Sequence, residues 1–237
     1  MQDVANENRK RKKMSIYKQY LGAAFDRLHP KMQERFGISS DKPMYMLGTG
    51  KMERIRNAGW HTLPFLYLGT FRNIMFPETG RDIPFTIENY GYRDSYGRET
   101  VSWNRKFHFG KKIRRFDATM IFNEKEKTIV DYLGNRQHLA VDIEMSANPD
   151  GSITIRSGNQ RFYEGKIAFR FPQLFCGNAV VNESYDEQQD IFNIEVKVIN
   201  KTFGVLFTYK GFFKAEFKPL EHGVPADAKP LREEIRQ

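Results

Sequence analysis

From Asp82 to Tyr209 apolar and polar residues alternate with a period of two, the spacing at which successive side chains fall on opposite faces of a strand. Ile83, Phe85 and Ile87 share one face, as do Val101, Trp103, Phe107 and Phe109 in the next run. Phe116, Ala118, Met120 and Phe122 repeat the pattern, followed by Leu139, Val141, Ile143 and Met145, then Ile153 and Ile155, then Ile167, Phe169 and Phe171. Phe192, Ile194, Val196 and Val198 form another run, and Phe203, Val205, Phe207 and Tyr209 the last. Turn-forming residues separate them: Ser95-Tyr96-Gly97, Gly134-Asn135, Asn148-Pro149-Asp150-Gly151, Ser157-Gly158-Asn159 and Asn200-Lys201. Roughly eight to ten strands without intervening helices predict a mostly β chain, a curved antiparallel meander. To protect its edges such a sheet closes into a barrel or curls as a half-barrel around a helix.

Upstream the period is helical. Ser15 is placed to cap a helix whose apolar stripe is Ile16, Tyr17, Tyr20, Leu21, Ala24, Phe25 and Leu28. Pro30 suits the first turn of a second helix that ends at Gly37. These helices are expected to cap the sheet, making the fold α+β. The most apolar stretch runs from Trp60 to Phe76, where Pro64 fits a first turn and Leu68, Phe71 and Met75 share a face. It is read as a core helix under the sheet, the alternative being a lid or membrane-facing helix. The domain therefore spans 15–217, between a disordered basic tail over 1–14 and an extended charged tail over 218–237.

Composition sharpens this picture in three places. The chain has 20 Phe and 11 Tyr against 2 Trp, and flat rings favour pleated faces. Its single cysteine, Cys176, excludes an intramolecular disulfide or a zinc site built on several thiolates. No uninterrupted apolar run reaches the roughly 18 residues of a membrane-spanning helix, and Met1–Met14 lacks the apolar centre of a signal peptide. The expected location is cytoplasmic. The net charge of +9 includes an unbroken run, Arg9, Lys10, Arg11, Lys12 and Lys13. That run either serves solubility or forms an arm that touches anionic lipid at the membrane periphery, nucleic acid or a protein partner.

Four segments carry a family resemblance. Tyr17-Lys-Gln-Tyr-Leu-Gly-Ala-Ala-Phe-Asp-Arg-Leu-His-Pro opens it, followed by Gly80-Arg-Asp-Ile-Pro-Phe85, Glu99-Thr-Val-Ser-Trp-Asn-Arg-Lys-Phe107 and Gly204-Val-Leu-Phe-Thr-Tyr-Lys-Gly-Phe212. In order and spacing they resemble a bacterial domain family of unknown function, number 4166, over roughly Ser15 to Phe217. The resemblance implies a bacterial protein whose relatives are sometimes fused to saccharopine-dehydrogenase-like domains. It implies no catalytic residues and no cofactor. No Gly-x-Gly-x-x-Gly follows a strand in this chain.

One residue breaks the apolar face. The period of two puts Arg105 between Trp103 and Phe107, on the inward side. A buried arginine needs a carboxylate, carbonyls or an anionic ligand. It is either half of an internal ion pair or the anchor of an anionic headgroup, with Trp103, Phe107 and Phe116 as the walls of a pocket for an apolar molecule. Arg114, Arg115 and Asp117 read as a solvated hairpin. Asp142 and Glu144 read as the solvent face of a strand. The histidines, His29, His61, His108, His138 and His222, form no metal-binding pair by spacing, and Gly48-Thr49-Gly50-Lys51 is too short for a phosphate loop. No catalytic motif and no element for sequence-specific nucleic-acid recognition stands out. Three functions remain: a binding module for an apolar or anionic small molecule, a non-enzymatic protein that docks to a membrane or partner through the basic arm and residues 60–76, and an enzyme whose polar groups gather only in the fold. The oligomeric state is not set by these patterns.

Overall fold

The computed structural model of the protein describes residues 14–171 and 176–237, so the run from Arg9 to Lys13 lies outside the described residues. Eleven strands lie among the described residues, and all but the short eighth alternate up and down: β1 (Met44–Asn57), β2 (Gly80–Arg93), β3 (Glu99–Phe109), β4 (Lys112–Asn123), β5 (Thr128–Leu133) and β6 (Leu139–Ala147). They continue as β7 (Ile153–Glu164), β8 (Ile167–Arg170), β9 (Asn178–Asp186), β10 (Ile191–Asn200) and β11 (Gly204–Pro219). Every neighbouring pair is antiparallel. β1 bonds to both β2 and β11, β6 bonds to β7, and β7 bonds to β9. Ten strands thereby form a closed ring, while β8 hangs as a short edge on β7. Closure leaves the ring without the unpaired edge a half-barrel would expose.

Three helices serve the two mouths. α1 (Ile16–Leu21) is capped by Ser15, whose Oγ accepts the Lys18 N–H at 3.2 Å and donates to the Phe36 carbonyl at 2.7 Å. That second bond ties α1 to α2 (Pro30–Phe36). Ile16, Tyr17, Phe25, Leu28, Met32 and Phe36 are buried in the main core together with Trp103, Met120 and Ile153. The helical hairpin is thus a plug in one mouth rather than a lid laid over it. α3 (Leu63–Thr70), preceded by a 3₁₀ turn over Trp60–Thr62, crosses the other mouth. Beyond it Phe76 inserts among Phe107, Phe109 and Phe207 at ring distances of 4.8 to 5.7 Å.

The reading of 60–76 as a core helix is corrected here. Leu66 and Phe76 are buried, but Trp60, Tyr67 and Phe71 are exposed by more than half. The helix has no charged residue on any face, so one apolar side seals the mouth and the other meets solvent. Three further expectations change. Ser157-Gly158-Asn159 is no turn but the middle of β7, where an irregular register opposite Val141 and Ile143 absorbs the glycine. Phe203 and Val205 do not continue the inward face of β11, because a bulge at Val198/Ile199 shifts the hairpin end outward. Ile167 and Phe169 lie exposed on β8 instead of lining the core.

The C-terminal stretch is extended, yet bonded along the outer wall. The Ala228 carbonyl accepts from Asn104 at 3.2 Å, Leu231 N–H donates to the Asn135 carbonyl at 2.7 Å, and Tyr132 Oη donates to the Arg236 carbonyl at 2.7 Å. Beneath it Ile121, Val130, Tyr132, Ala140 and Tyr163 form a small second core on the outside of the sheet.

Close approach explains two glycines. A Cβ at Gly48 would meet Ile87 at 2.6 Å and the Phe213 ring at 2.7 Å, so the ring occupies the place of a side chain on β1. A Cβ at Gly91 would lie 2.5 Å from the Ser39 backbone carbon, where the link after α2 crosses β2. Gly91→Ala is therefore expected to lower stability by about 2–3 kcal/mol in urea denaturation, since backbone rather than a flexible side chain must yield.

Candidate functional site

Among the described residues, Arg35 from α2 and Asn89, Glu183, Arg105, Asp131 and Tyr209 from the strands bring polar groups into the barrel interior. Arg35, at the end of α2, is buried and held on two walls. Its Nε and Nη2 donate to the two oxygens of Glu183 on β9 at 2.6 and 2.9 Å, and Nη1 donates to Asn89 on β2 at 2.5 Å. The guanidinium lies 4.8 Å from the Trp103 ring and 5.0 Å from Phe213. This is a complete site: a bidentate ion pair with a third hydrogen bond and two aromatic faces.

Arg105 is different. It faces inward from β3, opposite Phe116 on β4, and is only 4% exposed. Its Nε donates to the Phe116 carbonyl at 3.0 Å and Nη1 to the Tyr209 hydroxyl at 3.1 Å. The guanidinium carbon is 3.8 Å from the centre of the Phe116 ring. Among the described residues no carboxylate lies within ion-pair distance of it, and Nη2 makes no hydrogen bond. Burial raises the Tyr209 hydroxyl above its ordinary range, with Arg105 opposing, so Tyr209 is a neutral phenol at physiological pH.

The field of Arg105 reaches Asp131 on β5, inward between Ile129 and Leu133. It makes no hydrogen bond among the described residues, and its Oδ1 is sealed from solvent without a partner. Burial pushes its acid up to about 7, and the field of Arg105 lowers it only in part. Tyr17, reaching in from α1, feels the Asp131 charge and donates to the Met120 sulfur at 3.3 Å. Arg105 and Asp131 therefore sense each other through space without bonding.

The expected pocket residues separate on this frame. Arg105, Trp103 and Phe116 are brought together in the interior. Phe107 is fully buried and packed by Phe76, Phe85 and Tyr209 within the aromatic half of the core. The opposite wall is built from smaller residues: Leu133, Leu139, Ala179 and Val181 pack on the core but keep part of their surface accessible, as does Asp131.

Several of the other charges noted in the sequence are paired. Arg114 and Asp117 are not a solvated hairpin: Arg114 forms a bidentate pair with Glu78 at 2.8 and 2.5 Å, and buried Asp117 accepts from Asn73 at 2.8 Å and pairs with Arg115 at 3.0 Å. Asp142 is bidentate to Arg161. Cys176 is buried, which raises its thiol acid and leaves it a weak nucleophile. Among the described residues no three His, Cys, Asp or Glu converge as metal ligands, and no helix is long and apolar enough to cross a membrane.

Sequence reasoning found Arg105 and missed Arg35, Asn89, Asp131 and Glu183. The signal was present for two of them. Asp131 alternates with Ile129 and Leu133, and Glu183 with Val181 and Tyr185, as Arg105 does with its neighbours.

Fold and interior together define a helix-plugged, ten-stranded antiparallel barrel with ionisable groups inside an aromatic core. The model of the family described as "Domain of unknown function (DUF4166)" matches residues 28–213, and the chain belongs to that family. It is also 39% identical over 189 residues to the "Uncharacterized protein YndH" of Bacillus subtilis (strain 168), a match covering 80% of this chain and 91% of that protein.

Proposed function

We propose that the barrel is a binding module for a small, largely apolar molecule carrying one anionic group, held by Arg105, Tyr209 and Asp131. The observation that supports this most is the unfinished pair: two opposite charges share the interior, and among the described residues neither has an ion-pair partner. Arg35 and Glu183 show how this fold completes a buried pair when it serves structure alone. Arg105 retains a free Nη2, the Tyr209 hydroxyl accepts from Arg105 and keeps its own O–H to donate, and Asp131 in its acid form is a hydrogen-bond donor. A carboxylate or phosphate beside Arg105 would accept from all three. The apolar body would run along Phe116 and the smaller residues of β5, β6 and β9, since the aromatic half around Phe107 is filled.

The test is native mass spectrometry of gently purified protein with denaturing extraction of any adduct, followed by calorimetric titration of dodecanoate as an apolar anion. A stoichiometric anionic adduct, or dodecanoate binding that weakens about ten- to a hundredfold in Arg105→Gln, is the expected result, the loss of one charge-assisted contact. A bare mass together with no dodecanoate binding overturns the reading.

A further inference from the structure

We propose that the α3 end of the barrel docks on the surface of an anionic lipid bilayer. In an up-and-down barrel alternate turns share an end, so the turns at β1–β2, β3–β4, β5–β6, β7–β8 and β10–β11 lie together around α3. This end gathers most of the large apolar side chains that the protein exposes. Trp60 is 83% and Phe71 77% exposed, and Tyr67, Ile113, Phe203 and Val205 join them. Exposed apolar groups concentrated on one face mark an interaction surface.

The chemistry of the surroundings selects the partner. Around the aromatic patch, the same turns expose Arg72, Lys111, Lys112, Arg136, Lys166 and Lys201. At the helical end Glu124 and Glu126 are balanced by Lys125 and Lys127 and Asp94 by Arg98, which leaves Asp150, Asp186, Glu187 and Asp190. Even with Glu78, which pairs with Lys112, and Glu164 beside them, the turns at the apolar end are net basic, while the turns at the helical end are net acidic. Trp, Tyr and Phe above a basic ring match a bilayer interface, where aromatic rings sit at headgroup depth and cations meet anionic lipid. α3 itself contains no charge to hinder entry, and it is too short to span. None of these residues belongs to the interior site, so docking stands or falls separately from binding at Arg105.

Tryptophan fluorescence of the full chain tests this without any substitution. Trp103 is 3% exposed and Trp60 83%, so the emission that acrylamide quenches belongs to Trp60. Vesicles of equimolar phosphatidylglycerol and phosphatidylcholine are expected to protect that emission and shift it to shorter wavelength. Phosphatidylcholine alone should do so weakly, and high salt should reverse the effect. Tyr67→Ser with Phe71→Ser, both at exposed positions, is expected to lower vesicle partitioning about tenfold or more. Lys111→Glu with Lys112→Glu should remove part of the preference for anionic lipid. The proposal is overturned if neither vesicle protects Trp60. It is overturned equally if partitioning survives the aromatic substitutions unchanged and vanishes when Arg9, Lys10, Arg11, Lys12 and Lys13 are made glutamine.

Discussion

Arg35→Met is expected to lower the stability of the barrel by about 3–5 kcal/mol, measured by urea denaturation near neutral pH. Methionine fills much of the volume of the arginine, so the loss is electrostatic and not a cavity effect. Glu183 is left buried without the two hydrogen bonds that now satisfy its oxygens, and Asn89 loses its donor. The pair also sets where the plug sits, because Arg35 belongs to α2 while Glu183 and Asn89 belong to opposite stretches of wall. The double variant Arg35→Met with Glu183→Leu is expected to recover most of the loss, since a buried pair replaced as a unit by apolar groups is close to neutral. If Arg35→Met costs less than about 1 kcal/mol, Glu183 is accepting protons or water instead, and the pair is not what seats the helices.

This pair also explains which strands were legible before the structure. The period of two revealed β2, β3, β4, β6 and β10, whose inward faces are almost wholly apolar. It left β1, β5 and β9 unrecognised. β9 turns Glu183 inward to meet Arg35, and β5 turns Asp131 inward toward Arg105, so an acid interrupts each apolar face. β1 has Gly48 and Gly50 on its inward face, where the Phe213 ring and the approach of the β11 backbone leave no room for larger side chains. Its other inward residues, Met46, Met52 and Ile55, are buried in the core, but the glycines and the irregular register between Met52 and Arg54 break their alternation. The strands that sequence patterning missed are those that complete the barrel's polar interior and close its ring. The site was legible from one side only, because an arginine among aromatics is conspicuous, whereas an aspartate in a short mixed strand is not.

The helical regions show a second limit. The apolar stripe of 16–28 and the cap at Ser15 were readable locally, but insertion of that hairpin into the barrel depends on Arg35, which no local pattern distinguishes from a surface arginine. Residues 60–76 are apolar by any measure, and burial is the usual consequence. Here the segment covers a mouth from outside, so Trp60, Tyr67 and Phe71 stay more than half exposed. The aromatic side chains left over form one pole of the molecule.

Asp131→Asn is expected to stabilise the ligand-free protein above neutral pH and to change little in acid. Burial holds the Asp131 acid near 7, against 3.8 for an ordinary aspartate, which corresponds to a penalty of up to about 4 kcal/mol on its ionised form. The sign follows from which state releases the proton first. Below about pH 4 the group is protonated in folded and unfolded chains alike, and burial carries no charge penalty. Between about 4 and 7 the unfolded chain ionises while the folded one does not, so stability falls with rising pH; above about 7 both are ionised and the loss is complete. Asparagine matches the protonated form in size and has no such dependence. Its advantage should therefore be near zero at pH 4 and reach about 2–4 kcal/mol at pH 8, measured as paired urea midpoints at the two pH values. The same titration bears on binding. An anion beside Arg105 disfavours the Asp131 carboxylate, so uptake of the ligand takes up a proton, and dodecanoate affinity should decline by up to about tenfold per pH unit above 7. In Asp131→Asn that decline should vanish. If both proteins show the same pH profile, Asp131 does not face the bound anion, and Arg105 and Tyr209 would have to hold it alone.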